Sequence, residues 1–114
     1  MQIKHHQEQN TEVFILDGSL SQADTKIAKE YIAPFISDKS ILKILIDFES
    51  VPFMDSSGIG VLVSFHNQMK EEERTLSFCN LGENLMEIMS TTRLDSVFNI
   101  FPTKDAAISG MNAA

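Results

Sequence analysis

The sequence has few of the residues that build covalent scaffolds or nucleic-acid surfaces. Its 114 residues include one cysteine, which excludes a disulfide framework within the chain and is typical of a reducing compartment. Lysine and arginine together number 9 against 16 acidic residues, which gives a formal net charge of -7. Because contact with a phosphate backbone requires a basic patch, we expect no binding of nucleic acid.

Long apolar runs are missing as well. No stretch approaches the roughly 20 apolar residues of a membrane-spanning helix. The N-terminal segment MQIKHHQEQN is polar and lacks the apolar core of a signal peptide. We therefore expect a cytoplasmic protein with no membrane contact.

The remaining composition is that of an ordinary globular protein. Hydrophobic residues make up 43% and charged residues 22% of the chain, which is long enough to bury one core. No repeat, low-complexity segment or linker divides it. We expect a single domain over residues 1–114.

Strand and helix patterns alternate along the chain. Residues 2–7 and 12–16 predict two strands joined by a turn, and residues 21–37 predict a helix with Ser21 as its N-cap. The apolar run ILKILIDF, residues 41–48, predicts a strand that is covered on both faces. Later patterns predict a helix ending near residue 70, a strand over 75–81, a helix over 83–90, a strand over 96–101 and a helix over 103–110. The mixed run KEEER, residues 70–74, is predicted to be a solvated helix end.

This alternation predicts an α/β fold. Strands that alternate with helices imply right-handed crossovers and a mostly parallel sheet. The N-terminal strand pair adds an antiparallel edge, so we expect a mixed central sheet with about four helices.

The segment FMDSSGIGVL, residues 53–62, places three polar side chains between two apolar elements. Asp55, Ser56 and Ser57 follow a central strand and precede a helix, where sites of open α/β sheets lie and where unpaired N–H groups attract anions. Gly58 and Gly60 let a backbone, a phosphate or a partner come close, at about 1 kcal/mol each in helix propensity. A plain helix cap is one interpretation. A functional site is the other, because three cap-type residues exceed what one cap needs.

No catalytic or metal-binding motif accompanies these serines. The residues two before them are Met54 and Asp55, so the G-x-S-x-G pattern is missing, and His66 lies about two helical turns away. The three histidines and one cysteine lack the spacing of metal ligands. The GIG motif lacks the third glycine of a dinucleotide fingerprint. We predict no metal and no cofactor.

A serine at a helix N-terminus is instead a suitable acceptor of a phosphate. Phosphorylation adds about -1.5 to -2 charge and three acceptor oxygens, which the helix terminus accommodates. A partner packed against the loop would then face an unpaired charge, at a cost of about 2–5 kcal/mol.

The following helix carries an apolar pair outside its predicted core stripe. That stripe consists of Ile59, Leu62, Val63, His66 and Met69. Val61 and Phe65 fall on another face, in line with Ser57. Either the pair is a docking patch beside the serines, or another helix covers it.

The segment FMDSSGIGVL resembles the signature of the STAS domain, in particular that of small bacterial anti-sigma-factor antagonists. DGSL at residues 17–20, the strand at 41–48 and LSFCN at 76–80 resemble the corresponding family segments, so the resemblance covers essentially the whole chain. It implies that the unphosphorylated protein binds an anti-sigma factor that is also a serine kinase, and so releases a sigma factor. The kinase inactivates the antagonist at the serine after the aspartate, here Ser56, and a serine phosphatase restores it.

The resemblance also implies a partner-binding loop and a monomer or weak dimer. The loop would comprise Asp55, Ser57, Gly58 and Gly60, together with Ser19 and Ser21. Residues 18–21 read GSLS where the family commonly has Gly-Glu-Leu-Asp, so the cognate kinase differs or binds differently. Residues 91–93 read TTR where a glycine is usual.

Two other functions stay open from the sequence. The domain could bind a partner constitutively, as a scaffold or as a regulator of secretion or of a cyclase. It could also bind or hydrolyse a nucleotide at the helix that begins near Ser56.

Overall fold

The computed structural model describes residues 1–113, which form five strands and four α-helices. The strands are β1 (Gln2–Glu8), β2 (Thr11–Asp17), β3 (Lys43–Ser50), β4 (Thr75–Cys79) and β5 (Asn99–Phe101). The helices are α1 (Gln22–Ser37), α2 (Ser56–Glu71), α3 (Glu83–Thr91) and α4 (Lys104–Asn112).

All five strands form one mixed sheet in the order β1-β2-β3-β4-β5. β1 pairs with β2 in the antiparallel sense, and the other neighbours are parallel. The predicted α/β fold with a mostly parallel sheet and an antiparallel N-terminal edge is therefore confirmed. Because β2, β3 and β4 run in the same direction, the loops that lead from β2 to α1 and from β3 to α2 lie at the same edge of the sheet.

Helices cover both faces of this sheet. Side chains of successive strand residues point to opposite faces, so Leu45 and Ile46 of β3 enter different clusters. Ile46 packs with the apolar side chains of α1, α2 and α3 in the main core. Leu45 lies in a smaller cluster with Ala107 and Ile108 of α4. The sheet is thus buried on both sides, as the apolar run of β3 predicts.

The predicted strand over residues 96–101 is wrong in its first half. Leu94–Ser96 form a single turn of 3-10 helix, and only Asn99–Phe101 are a strand. The carbonyl of Leu94 accepts hydrogen bonds from the N–H groups of Val97 at 3.0 Å and Phe98 at 2.8 Å. These local bonds occupy the main-chain groups that a longer strand would use.

Arg74 contradicts the prediction of a solvated helix end at residues 70–74, because its side chain is buried. Its guanidinium also contacts the carboxylate of Glu72 at 2.7 Å. It donates to four main-chain carbonyls at 2.6–3.0 Å, those of Phe35, Ile36, Asp38 and Ile41. The last carbonyls of a helix have no partner within the helix, so Arg74 satisfies the end of α1 and ties it to the start of β4.

Candidate functional site

Asp55 fixes the start of α2 and joins it to α1. Its Oδ1 atom accepts hydrogen bonds from the main-chain N–H groups of Ser57 at 2.9 Å and Gly58 at 3.3 Å. Its Oδ2 atom accepts from the N–H of Gln22, the first residue of α1, at 3.3 Å. One carboxylate therefore caps its own helix and holds the neighbouring helix beside it.

The same carboxylate is held in its ionised form. The Ser57 hydroxyl donates to Asp55 Oδ1 at 2.5 Å. This bond, followed by those from the main-chain N–H groups, lowers the pKa of Asp55 below its ordinary value, because each donor favours the charged carboxylate. The loop consequently carries a negative charge beside both serines at neutral pH.

The two serines differ in their surroundings. Ser57 Oγ also lies 3.0 Å from Thr25 Oγ1 on α1. Because the Ser57 hydroxyl donates its hydrogen bond to Asp55, the Thr25 hydroxyl is the donor in that contact. Ser56, the first residue of α2, is exposed and takes part in none of the hydrogen bonds that hold this loop within residues 1–113. Its hydroxyl is free to react, whereas that of Ser57 is a structural link between two helices.

Gly58 brings the β2–α1 loop against the start of α2. A Cβ atom there would lie 2.5 Å from the carbonyl oxygen of Leu20 and 2.9 Å from Met54 Cγ. The Leu20 N–H donates to the carbonyl of Phe53 at 2.9 Å, and the Asp55 N–H donates to the carbonyl of Leu20 at 3.3 Å. The close approach that Gly58 permits is therefore that of the chain's own backbone, and the residue itself is buried.

Gly60 has the opposite environment. A Cβ atom at this position would meet no other atom within 4 Å, and the residue is exposed. It lies four residues after Ser56, which places both on the same side of α2. Gly60 therefore adds no side chain to the surface on the Ser56 side of α2.

Ser19 and Ser21 flank the buried Leu20 in the β2–α1 loop and are themselves half-buried. Ser21 occupies the N-cap position of α1 as predicted, although its side chain makes no capping hydrogen bond. The loop is attached to the β3–α2 loop by main-chain atoms of Leu20. These attachments therefore form although residues 19 and 21 are serines rather than the acidic residues that are common in the family.

The predicted docking patch formed by Val61 and Phe65 is wrong. Phe65 is only 5% exposed and belongs to the main core. Val61 is half-buried and lines a shallow groove of ≈490 Å³ with α1 residues such as Thr25 and Ala33. The side of α2 that carries this pair therefore faces α1, which confirms the alternative of a covering helix.

Arg93 lies in the segment of residues 91–93 where the family resemblance predicts a glycine. Its backbone has φ 62° and ψ 20°, in the left-handed region that glycine adopts most easily. An arginine there costs about 1–2 kcal/mol relative to an unstrained backbone. The chain thus keeps a glycine-type turn after α3 without the glycine.

The cluster around Asp55 includes residues that the sequence does not single out. Leu20, Gln22 and Thr25 come from the β2–α1 segment and lie 32–35 positions before their hydrogen-bonding partners. Packing of α1 against α2 brings them to the site. The one signal in the sequence is that the polar Thr25 falls in line with the apolar Ala28 and Ile32, three and seven positions later in α1.

Residues 1–113 contain neither a metal-binding cluster of side chains nor a membrane-spanning helix. No group of three or more His, Cys, Asp or Glu side chains in that range could hold a metal ion. None of the helices formed by those residues is sufficiently long and apolar to span a bilayer.

Comparison with known proteins gives consistent matches over nearly all of the chain. The model of the STAS domain family matches residues 2–107. The anti-sigma-B factor antagonist of Bacillus subtilis (strain 168) is 24% identical over 91 residues, which is 80% of this chain and 82% of that protein.

Two solved structures extend this likeness to the fold. A Thermotoga maritima protein assigned as an anti-sigma factor antagonist superposes with a TM-score of 0.89 at 18% identity, covering 95% of this chain and 92% of that one. The phosphorylated form of the Bacillus cell fate determinant SpoIIAA gives a TM-score of 0.75 at 20% identity, covering 97% of this chain and 100% of that one.

Proposed function

The chain belongs to the STAS domain family, and we propose that within it this protein is an anti-sigma-factor antagonist, a binding module rather than an enzyme. Its unphosphorylated form binds an anti-sigma factor that is also a serine kinase, and a sigma factor is released. Phosphorylation of Ser56 ends this binding, and a serine phosphatase restores it. The similarity to the anti-sigma-B factor antagonist supports the proposed role.

The contrast between Ser56 and Ser57 carries the choice of phosphorylation site. Phosphoryl transfer needs a hydroxyl oxygen that can reach the γ-phosphate and lose its proton. Ser57 would have to give up its hydrogen bonds with Asp55 and Thr25. Both serines are exposed, but Ser56 gives up no hydrogen bond of the loop. A kinase that acts at this loop therefore modifies Ser56 more easily.

The surroundings of Ser56 also explain how a phosphate would act as a switch. The N-terminal turn of α2 places the positive end of the helix dipole at Ser56, so the phosphoserine is tolerated by the fold. Asp55 is already ionised next to it, and Gly60 adds no side chain on that side of the helix. A partner lying on that surface would meet two neighbouring negative charges. We expect a loss of about 2–5 kcal/mol in binding free energy, or roughly thirtyfold or more in Kd.

Variants at the two serines test this proposal. Binding to the purified anti-sigma-factor kinase of the same organism is measured by titration calorimetry, and phosphate incorporation with ATP by mass spectrometry. We expect Ser56→Asp to bind at least thirtyfold more weakly. Ser56→Ala should bind as the wild type and incorporate no phosphate, whereas Ser57→Ala should still be phosphorylated at Ser56. Wild-type affinity of Ser56→Asp would falsify the switch.

The alternative of a constitutive scaffold gives a different result in the same experiments. A scaffold forms large assemblies by itself, whereas an antagonist elutes from size-exclusion chromatography as a monomer or weak dimer. An unmodified Ser56 in the presence of kinase and ATP, combined with large assemblies, would favour the scaffold.

A further inference from the structure

Phe53 presents an apolar ring next to the proposed phosphorylation site. The residue lies in the β3–α2 loop and is 50% exposed. Its carbonyl accepts the N–H of Leu20 at 2.9 Å, so the ring projects from a backbone that is held in place. It borders a surface depression of ≈350 Å³ whose other walls are Asn84, Glu87, Ile88, Thr91 and Thr92.

The position of Phe53 after β3 distinguishes it from the exposed apolar residues that flank other strand ends. The remaining exposed large apolar residues, Ile27, Tyr31 and Met86, lie on the helices α1 and α3. Leu42 is 59% exposed but precedes β3, at the opposite end of the strand. Val97 is 48% exposed and precedes β5, at the same opposite end. Because β3 and β5 run parallel, both residues lie at the amino ends of the strands, whereas Ser56 lies at the carboxyl ends. Phe53 follows β3 and does lie on that edge.

A kinase that modifies Ser56 has to cover the surface around it. A specific interface buries about 800 Å² on each partner, which corresponds to a patch of about 16 Å radius. Phe53 is three residues from Ser56, so their Cα atoms are within about 11 Å. Exposed aromatic residues near the centre of such patches are frequent anchors of binding.

We propose that Phe53 and the depression beside it are a docking site for the anti-sigma-factor kinase, which inserts an apolar side chain there. The inference rests on the proposed function, because that function requires the kinase to cover Ser56. Glu87 is the charged residue among those that line the depression, and the chain has a net charge of -7. The complementary segment of the kinase therefore carries a lysine or arginine next to its apolar side chain.

The test compares Phe53→Ala with Leu42→Ala. Both changes remove a half-exposed apolar side chain, so both proteins should fold, which urea unfolding verifies. In titrations with the purified anti-sigma-factor kinase of the same organism, we expect Phe53→Ala to raise Kd about tenfold to a hundredfold and Leu42→Ala to leave it unchanged. In phosphorylation assays Phe53→Ala should raise KM for the antagonist while kcat at saturation stays the same, since Ser56 itself is intact.

The outcomes separate this inference from the function on which it rests. If Phe53→Ala binds as the wild type while Ser56→Asp does not bind, the docking site is refuted and the phosphorylation switch stands. If the wild type binds no anti-sigma-factor kinase, both proposals fall. If sedimentation shows a wild-type dimer that Phe53→Ala dissociates, the occupant is a second copy of this chain and the docking of a kinase is overturned.

Discussion

Replacing Arg74 by methionine tests whether the end of α1 is held by a single side chain. Methionine keeps the apolar stem and the approximate volume and removes the guanidinium. Of the four carbonyls that Arg74 serves, those of Phe35 and Asp38 keep a main-chain donor, at 3.3 and 3.0 Å, whereas those of Ile36 and Ile41 would lose theirs. A buried acceptor without a partner costs about 1–3 kcal/mol.

The magnitude follows from how many of these carbonyls water can reach. The turn around Asp38 is exposed, so water replaces part of the lost donors there. Loss of the donor at the carbonyls of Ile36 and Ile41 lowers the free energy of unfolding by about 2–6 kcal/mol, a range that includes the cost of breaking a buried ion pair. That is a large share of the 5–15 kcal/mol typical of a small domain.

Urea unfolding monitored by circular dichroism measures this change, provided that the m-value is the same in both proteins. Lys39→Met is the matched control, because Lys39 also contacts Glu72, at 3.6 Å, but is exposed. We expect it to change stability by less than about 0.5 kcal/mol. A loss below about 1 kcal/mol for Arg74→Met would refute the reasoning, since the buried carbonyls would then be satisfied without the arginine.

Two further predictions concern the loop around Asp55. Gly58→Ala should lower the free energy of unfolding by about 1–3 kcal/mol, because the new Cβ meets the Leu20 carbonyl at 2.5 Å. Gly60→Ala should instead raise it by about 0.5–1 kcal/mol through helix propensity, since nothing lies within 4 Å of a Cβ there. Equal effects of the two substitutions in urea unfolding would contradict this difference in packing. The pKa of Asp55 is lowered in the folded protein, so its carboxylate stabilises the fold above the pKa of the unfolded chain and this contribution is lost as the pH falls through the folded-state pKa. We therefore expect the difference in unfolding free energy between the wild type and Asp55→Asn to shrink between pH 7 and about pH 3, and a difference that does not change with pH would rule out this linkage.

The sequence predicts well those features that depend on neighbours along the chain. The apolar run of β3 and the capping role of Asp55 need only local spacing, and both are found. Arg74 is different, because its partners lie 33–39 positions earlier and only the packing of α1 brings them near. Phe65 falls outside a single helical stripe, but α2 is covered by the sheet and by α1, so its buried arc is wider than one stripe. Tertiary contacts of this kind leave no periodic signal.

The way in which the β2–α1 loop is attached has a consequence for signalling fidelity. The main chain of Leu20 and its buried side chain hold the loop, so Ser19 and Ser21 can be exchanged without moving Ser56. If the proposed function is correct and these serines contact the kinase, mutations at the two positions would alter which kinase is recognised while Ser56 keeps its place. In a cell with several antagonists of this family, duplicated copies could diverge in partner choice at these two positions, and parallel pathways would be insulated from cross-talk without any change in the fold.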